Sequence, residues 1–251
     1  MSTFAELPVP PIDFFDFRVV TKVNIETLDL CNRSCSFCPR SVYDDTGFEM
    51  PIWMYREILT QLAELDYTGM VSPLLLNEAL CDDRIIEIVE MTHEILPKCK
   101  IFIDTNGDFL THELLQRLVW AGLRRLVVNH YDDKNEHLFD ITEGHPRLRV
   151  THRMTEEIDL YNRAGVCDVE SDLNKDFCVK IFQRIPIRHN GDVVLCCADF
   201  FGEVVMGNIM DTHISEIWRS DKYMKYRKAH SEGRARDMRL CNKCNRLKHE
   251  E

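Results

Sequence analysis

The sequence predicts an α/β fold: a parallel sheet, open or closed into a barrel, followed by a small C-terminal unit of one β-hairpin and a helix. Through the first two-thirds of the chain, short β-branched or aliphatic stretches alternate with segments whose apolar residues recur at helical spacing. Polar residues follow directly after several predicted strands, as expected where the carboxyl ends of parallel strands form a site. After about residue 177 the alternation gives way to a hairpin pattern. Together these observations favour an enzyme.

The predicted elements follow in chain order. Six stretches have the composition of strands, at 21–27, 70–76, 99–104, 125–128, 148–151 and 182–187. Four segments have helical periodicity, at 55–65, 84–96, 111–120 and 154–163, and Gly122 and Gly165 are the expected stop signals of the last two. In the C-terminal unit, 185–188 and 193–196 are predicted to form a hairpin around a turn at 189–192, followed by a helix over 215–226.

Length and charge limit the class of protein. The 251 residues suit one large domain, or one domain with a small appendage. A net charge of −11 argues against a nucleic-acid or anionic-membrane partner, and an acidic body would suit a cationic substrate. No apolar run approaches the roughly 18 residues of a membrane span, and 1–11 lacks the pattern of a signal peptide. We expect a soluble cytoplasmic protein.

The C-terminal segment is basic within this acidic chain. Eleven Lys and Arg stand against five Asp and Glu between Arg219 and Glu251. A solvated helix and tail is the simpler interpretation, and a docking patch for an acidic electron donor is the functional one.

The eleven cysteines are the strongest functional signal. In a reducing compartment, grouped cysteines bind metal or perform redox chemistry more often than they form disulfides. Three cysteines, Cys81, Cys99 and Cys167, stand alone and are expected to be structural. The ten histidines lack ligand spacing and are expected to be structural or exposed. The remaining cysteines form two groups.

The first group, Cys31, Cys35 and Cys38, forms a C-x3-C-x2-C array directly after the first predicted strand. Three thiolates on one tight loop can hold three irons of a [4Fe–4S] cluster and leave the fourth iron open for a ligand. A zinc loop is the alternative, but zinc usually pairs a C-x2-C with a second, distant pair.

The second group contains five cysteines, one of which is Cys197. Its other four, on the predicted hairpin and the closing C-x2-C, are the candidate ligands Cys178, Cys196, Cys241 and Cys244. Four thiolates can enclose a metal completely. The ligand count alone leaves a structural zinc and an iron–sulfur cluster open.

The first array, with Phe37 before its third cysteine, resembles the signature of the radical S-adenosylmethionine superfamily. That resemblance implies a partial (β/α)6 TIM barrel that carries a [4Fe–4S] cluster and binds S-adenosylmethionine. It divides the chain into an N-terminal lead (1–20), a barrel (21–176) and an auxiliary cluster domain (177–251).

The resemblance also implies cofactor-binding residues. The family's Gly-Gly-Glu segment after the second strand is replaced here by Leu76-Asn77-Glu78, which keeps the glutamate as an acceptor for the cofactor's ammonium group. Thr105 and Asn106, followed by Gly107, match the family's Thr-Asn-Gly after the third strand. Near the fifth strand, Arg149 or Arg153 is expected to pair with the cofactor's carboxylate.

The C-terminal group resembles the auxiliary-cluster domain called twitch, a shortened relative of the SPASM domain. It implies a second [4Fe–4S] cluster on Cys178, Cys196, Cys241 and Cys244. The pattern of the family assigns Cys196 rather than Cys197 as the ligand. Cys197 is then a buried small side chain, or a hydrogen-atom donor to a substrate radical.

Within this family the chain is similar to aminocyclitol dehydrogenases, which oxidise a secondary alcohol to a ketone. The resemblance implies a radical oxidoreductase that abstracts a hydrogen atom from an amino-sugar or aminocyclitol, with the auxiliary cluster as electron acceptor. A flavodoxin- or ferredoxin-type reductant is the expected partner. Arg163 is a candidate catalytic residue, although arginine stays protonated and could only stabilise an alkoxide-like radical.

Two alternatives stay open at this stage. A radical enzyme that modifies a peptide, by epimerisation or thioether formation, usually carries an N-terminal peptide-binding domain of roughly 50 residues or more, and 1–20 is too short for one. A zinc-stabilised binding module without turnover would explain Cys241 and Cys244 but not the first array.

Overall fold

A computed structural model describes residues 16–132, 137–158, 160–170 and 177–246. Eight strands form one sheet in the order β5-β4-β3-β2-β1-β6-β7-β8. Their bounds are β1 Lys22–Ile25, β2 Met70–Ser72, β3 Lys100–Thr105, β4 Leu123–His130, β5 Arg149–Met154, β6 Arg184–Ile187, β7 Asp192–Val194 and β8 Val205–Asn208. The lead predicted over 1–20 lies largely outside the described residues.

The first six strands are parallel and the last two are antiparallel, which confirms the predicted α/β class with an open sheet. The sixth strand does not follow β5. It pairs with the first, so that Lys22 lies opposite Arg184 and Ile25 opposite Ile187. The hairpin of β6 and β7 therefore continues the barrel sheet on the side of β1, and β8 extends it further. The sequence pattern did not predict β8.

Seven helices accompany the strands in the described part of the chain: α1 Ile52–Glu64, α2 Ile85–Ile95, α3 His112–Ala121, α4 Leu138–Thr142, α5 Lys180–Gln183, α6 Ile214–Arg219 and α7 Asp221–Ser231. The predicted helices α1, α2 and α3 are confirmed. Gly122 ends α3 with φ +123° and donates its N–H to Leu118 O, as its stop-signal role predicts.

Two helix predictions are wrong in detail. No α-helix covers 154–163 in the described residues. β5 runs to Met154, only a 3-10 helix of three residues follows at Thr155–Glu157, and the backbone at Arg163 and Ala164 is left-handed, with φ values of +49° and +57°. The helix expected over 215–226 is broken at Ser220, whose extended backbone separates α6 from α7. The Ser220 side chain accepts the Tyr223 N–H and so begins α7 as its N-cap.

The apolar core has two parts. The smaller one packs α2 and α3 against β3 and β4. The larger one joins the barrel to the C-terminal unit, since Phe17 and Ile58 belong to the same buried cluster as Trp218 and Tyr223. None of the described helices is long and apolar enough to cross a bilayer.

Candidate functional site

The first cysteine array lies on the loop that leaves β1, which we call the cysteine loop (residues 31–38). A turn between Cys35 and Cys38 closes through the Cys38 N–H, which donates to Cys35 O at 2.9 Å. At the other end of the loop, the Cys31 N–H donates to a carboxylate oxygen of Asp45 at 3.1 Å. All three cysteines line one cavity of about 460 Å³. The loop therefore presents its thiols to a common space.

A buried network of charged side chains supports the cysteine loop. Arg40, two residues after Cys38, pairs with Asp29 at 2.7 Å and also with Asp45, which holds the Cys31 N–H. Glu26, at the end of β1, contacts Arg40 at 3.8 Å and accepts a hydrogen bond from His189 at 2.7 Å. The network thus ties the cysteine loop to the turn between β6 and β7. No motif in the sequence predicts this network, because charged residues dispersed along a chain carry no spacing signal.

The predicted cofactor residues after β2 and β3 are in contact with each other. The Glu78 carboxylate is buried and accepts hydrogen bonds from Thr105 Oγ1 at 2.7 Å, Asn106 N at 2.9 Å and Leu80 N at 3.1 Å. Burial raises the pKa of Glu78, and these hydrogen bonds oppose the rise. Asn77 uses its Oδ1 on the Leu75 N–H, and its buried Nδ2 has no hydrogen-bond partner among the described residues.

Of the two candidate arginines on β5, the structure brings only Arg153 to the cavity. Arg153 donates to both carboxylate oxygens of Asp104 at 3.0 Å and to Asn129 Oδ1 at 2.7 Å. Arg149 begins the same strand, is exposed at the opposite end and is absent from the described cavity wall. Of the two, Arg153 is the residue that fits cofactor binding.

The opposite wall of the cavity contains the two candidate catalytic residues. Arg163 donates to Tyr161 Oη at 3.0 Å, and its guanidinium lies 4.7 Å from the centre of the Tyr161 ring. Lys180 Nζ lies 3.4 Å from the Cys197 sulfur and 3.3 Å from Tyr161 Oη. Sequence analysis missed Tyr161 and Lys180, since neither belongs to a motif.

Cys197 has an unusual electrostatic environment for a small buried side chain. Burial alone would raise the pKa of its thiol, but Lys180, Arg163 and the Tyr161 hydroxyl together lower it to about 6. Lys180 is held charged in return, because the thiolate and Tyr161 outweigh its own burial and raise its pKa. Both predictions for Cys197, a buried small side chain or a hydrogen-atom donor, stay predictions.

The second cysteine group forms a cluster of thiols behind that wall. Burial, together with the neighbouring thiols of Cys178 and Cys244, raises the pKa of Cys241 to about 12. The pKa of Cys196 is likewise raised by burial and by nearby thiols, Cys178 and Cys241 among them. His230 on α7, a buried residue, joins the group: it accepts the Cys178 N–H at Nδ1, and its Nε2 lies 3.4 Å from Cys241 Sγ.

Outside the two cysteine groups, one further set of potential metal ligands lies close together. Within the part of the chain that the structure describes, ligand atoms of Glu26, Asp29 and His189 lie within 4.8 Å of one another. Arg40 forms ion pairs with both carboxylates, so this trio belongs to the buried charged network.

Comparison with known families agrees with this site. The model of the Radical SAM superfamily matches residues 25–153, just over half of the chain. The chain belongs to the radical SAM superfamily. A second model, SPASM, described as an iron-sulfur cluster-binding domain, matches residues 178–245 of this radical SAM protein. It contains all four candidate ligands of the C-terminal group.

The radical SAM protein has relatives along most of its length. It is 32% identical over 237 residues, 92% of this chain and 94% of the relative, to the S-adenosyl-L-methionine-dependent 2-deoxy-scyllo-inosamine dehydrogenase of Niallia circulans. The crystal structure of BtrN in complex with AdoMet and 2-DOIA is similar with a TM-score of 0.83, 31% identity and coverage of 92% and 96% of the two chains. SuiB of Streptococcus suis, bound to precursor peptide SuiA, shares only the fold: the TM-score is 0.57 at 13% identity, over 92% of this chain and 71% of SuiB.

The predicted class, enzyme and cofactors are thereby confirmed: this is a radical SAM oxidoreductase that uses S-adenosylmethionine and two iron–sulfur clusters. The donor sets fit those groups, because both consist of thiols, the ligands that iron–sulfur clusters take. Which cysteine holds which iron, and the roles of the cofactor-binding and catalytic candidates, stay predictions.

Proposed function

We propose that this enzyme oxidises a secondary alcohol of a small polyhydroxylated molecule, of the aminocyclitol or amino-sugar class, to a ketone. A single observation carries the proposal: one cavity is lined both by the cysteine loop and by Lys180 and Cys197, which flank the auxiliary cysteines. A substrate in it lies between the two sites. The similarity to a 2-deoxy-scyllo-inosamine dehydrogenase over nearly the whole chain supports the same reaction.

Bound S-adenosylmethionine and the two clusters supply the radical chemistry: removal of a hydrogen atom from the carbinol carbon, and uptake of the second electron. The residues of the chain orient and enclose the substrate. On this proposal Glu78 holds the Thr105-Asn106 turn in place, while Asn77 Nδ2 and Arg153 donate to the polar part of the cofactor. Cys31, Cys35 and Cys38 would hold the cluster that contacts it.

The oxidation also releases the hydroxyl proton. Arg163 and Lys180 are held protonated beside Tyr161, so they would stabilise a developing alkoxide rather than accept the proton. Cys197 lines the same cavity within 3.6 Å of Tyr161 Oη. Because Lys180 and Arg163 lower the pKa of its thiol to about 6, the Cys197 thiolate is the group on this wall that would accept the proton. The earlier hypothesis of a hydrogen-atom donor would instead return an atom to the substrate radical, which a net oxidation does not require.

The external electron is proposed to come from a flavodoxin- or ferredoxin-type protein. Three exposed lysines on α7, at 222, 225 and 228, form a positive face suited to an acidic donor. Lys225→Glu is expected to slow turnover driven by reduced flavodoxin but not turnover driven by dithionite. Equal effects with both reductants would contradict docking at α7.

The experiment that tests the reaction uses enzyme reconstituted without oxygen, S-adenosylmethionine, a reductant and 2-deoxy-scyllo-inosamine deuterated at each carbinol carbon in turn. We expect one deuterium in 5′-deoxyadenosine per ketone formed, from one position only. Formation of 5′-deoxyadenosine without deuterium or ketone, across a panel of cyclitols and amino-sugars, would contradict the proposal.

A further inference from the structure

We infer that the substrate carries an anionic group, a phosphate or a carboxylate, which binds in the cavity beside Lys22, Lys180, Arg184 and Arg246. The inference deepens the proposed function and rests on it, since it concerns the substrate of the same cavity. It differs from what the overall acidity of the chain suggests, namely a cationic substrate.

The cavity wall is strongly basic. Seven cationic side chains line it against three carboxylates; the cations are Lys22, Arg33, Arg153, Arg163, Lys180, Arg184 and Arg246. Two of the seven are paired with acids: Arg153 with Asp104 at 3.0 Å, and Arg33 with Asp108 at 2.5 Å and Asp132 at 3.2 Å. Among the residues that the structure describes, no carboxylate forms an ion pair with the other five cations.

The three carboxylates of the wall are already occupied. Glu78 accepts three hydrogen bonds from its own surroundings, and Asp104 is shared by Arg153 and Asn129. Glu157 accepts the Met154 N–H at 2.9 Å, where it caps the turn after β5. None of the three lies within ion-pair distance of the unpaired cations, so the positive charge of this wall is not neutralised by the described protein.

Arg163 is held by its hydrogen bond to Tyr161 Oη, and the other four unpaired cations converge from three parts of the chain. Lys22 and Arg184 are register partners at the starts of β1 and β6, and Lys22 Nζ lies 4.0 Å above the Phe102 ring. Lys180 comes from α5, and Arg246 from the C-terminal end of the described chain, 5.4 Å from the Tyr161 ring. Arg184 is exposed, whereas the other three are half-buried.

Like charges that share a partly desolvated cavity repel one another more strongly than on an open surface. A dianionic phosphate ester or a carboxylate would relieve that repulsion and form charge-assisted hydrogen bonds with several donors. The ammonium group of an aminocyclitol or amino-sugar cannot form these contacts, so the anionic group would be a second substituent on a substrate of the proposed class. A cluster held by the four predicted ligands beside Lys180 would neutralise part of the excess, so Lys22 and Arg184, which belong to the sheet, are the more informative pair.

The test measures binding to the anaerobically reconstituted enzyme with S-adenosylmethionine bound. The probes are inositol 1-phosphate, glucuronate, myo-inositol and 2-deoxy-scyllo-inosamine. The affinity of each is measured by calorimetry at two salt concentrations. We expect at least one anionic probe to bind about tenfold or more tightly than myo-inositol and the amine, with an affinity that falls as salt rises. Tighter binding of inositol 1-phosphate than of glucuronate would indicate a phosphate on the substrate, and the reverse order would indicate a carboxylate.

Arg184→Gln is expected to lower the affinity for the anionic probe by about tenfold and to leave the affinity for myo-inositol unchanged. The matched control, Arg117→Gln, removes an exposed arginine on α3 and should change neither. Equal affinity for anionic and neutral probes would overturn the inference. So would an Arg184→Gln enzyme that loses iron but keeps the same ligand preference, because the cations would then serve the cluster.

The two hypotheses fail separately. Coupled oxidation of the amine without any preference for anions would overturn this inference and leave the proposed function intact. Tight binding of the anionic probe without ketone from any cyclitol would overturn the proposed function and support the anion site.

Discussion

Arg40 Nη2 lies 2.7 Å from a carboxylate oxygen of Asp29, and each side chain is only 1% exposed. Arg40 also donates to Leu76 O at 3.0 Å, one residue before Asn77. Because Asp45 links Arg40 to the Cys31 N–H, one guanidinium connects the cysteine loop to the end of β2. The positions of the thiols and of the predicted cofactor residues are thus set by a common side chain.

Arg40→Met leaves Asp29 and Glu26 buried without their main counter-charge. Removing one partner of a buried ion pair costs about 3–5 kcal/mol, and we expect the free energy of unfolding to fall by that amount. Urea denaturation of the metal-free protein measures it. The control is Arg18→Met, whose 90%-exposed side chain pairs with Asp16 at the surface and should have no measurable effect. Equal losses in the two variants would contradict the role assigned to Arg40.

Substitutions in the two cysteine groups are expected to affect the reaction in different ways. Cys35→Ala should abolish cleavage of S-adenosylmethionine, whereas Cys241→Ala should still release 5′-deoxyadenosine but form no ketone. Each variant should fall from roughly eight irons per chain to roughly four. Cys99→Ala removes a buried thiol that donates to Tyr67 O, away from both groups, and should keep all the iron. Ketone formation by Cys241→Ala would rule out the electron-acceptor role.

Glu78→Gln tests the hydrogen-bonded turn that follows β3. An amide offers one acceptor oxygen where the carboxylate now serves two N–H groups and the Thr105 hydroxyl, and its NH2 would face a donor. We expect a loss of about 1–3 kcal/mol in stability and weaker S-adenosylmethionine binding, measured by equilibrium dialysis. Glu94→Gln, on the exposed side of α2, serves as the control. Unchanged cofactor affinity in the Glu78 variant would remove it from the binding site.

The protonation of Lys22 is expected to make anion binding depend on pH. Burial lowers the pKa of Lys22 to about 8; Asp104 opposes the shift, and Arg184 and Arg125 add to it. Its ammonium is therefore charged below about pH 8 and neutral above, while a phosphate ester stays dianionic throughout that range. Affinity for inositol 1-phosphate should decline as pH rises through 8, and the decline should vanish in Lys22→Met. A pH-independent wild-type affinity between 7 and 9 would refute a contribution from Lys22.

The sequence predicted those parts of the site that depend on local spacing. The cysteine loop and the Thr105-Asn106 turn each occupy a few consecutive residues, so their geometry follows from the chain itself. The Lys180–Cys197 contact and the Arg40–Asp29 pair join residues far apart in sequence, and no periodicity marks them. The helix expected before Arg163 failed because β5 continues to Met154 and left-handed backbone at Arg163 and Ala164 overrides helical propensity.

The positive charge of the cavity could not be predicted from the amino-acid composition either. Net charge sums over the whole surface, whereas Lys22 and Arg184 meet at the cavity only because β6 pairs with β1. An acidic protein can therefore hold a basic pocket.

Because β1 pairs with β6, the barrel depends on the C-terminal part of the chain for its folding. If the polypeptide were cut before Phe177, one whole side of β1 would lose its partner and leave its N–H and C=O groups open to strand addition by other molecules. The core shared by Phe17 and Trp218 would be opened to water at the same time. We therefore expect an isolated barrel to aggregate, because in this chain the two predicted iron–sulfur sites lie on one continuous sheet and share one core.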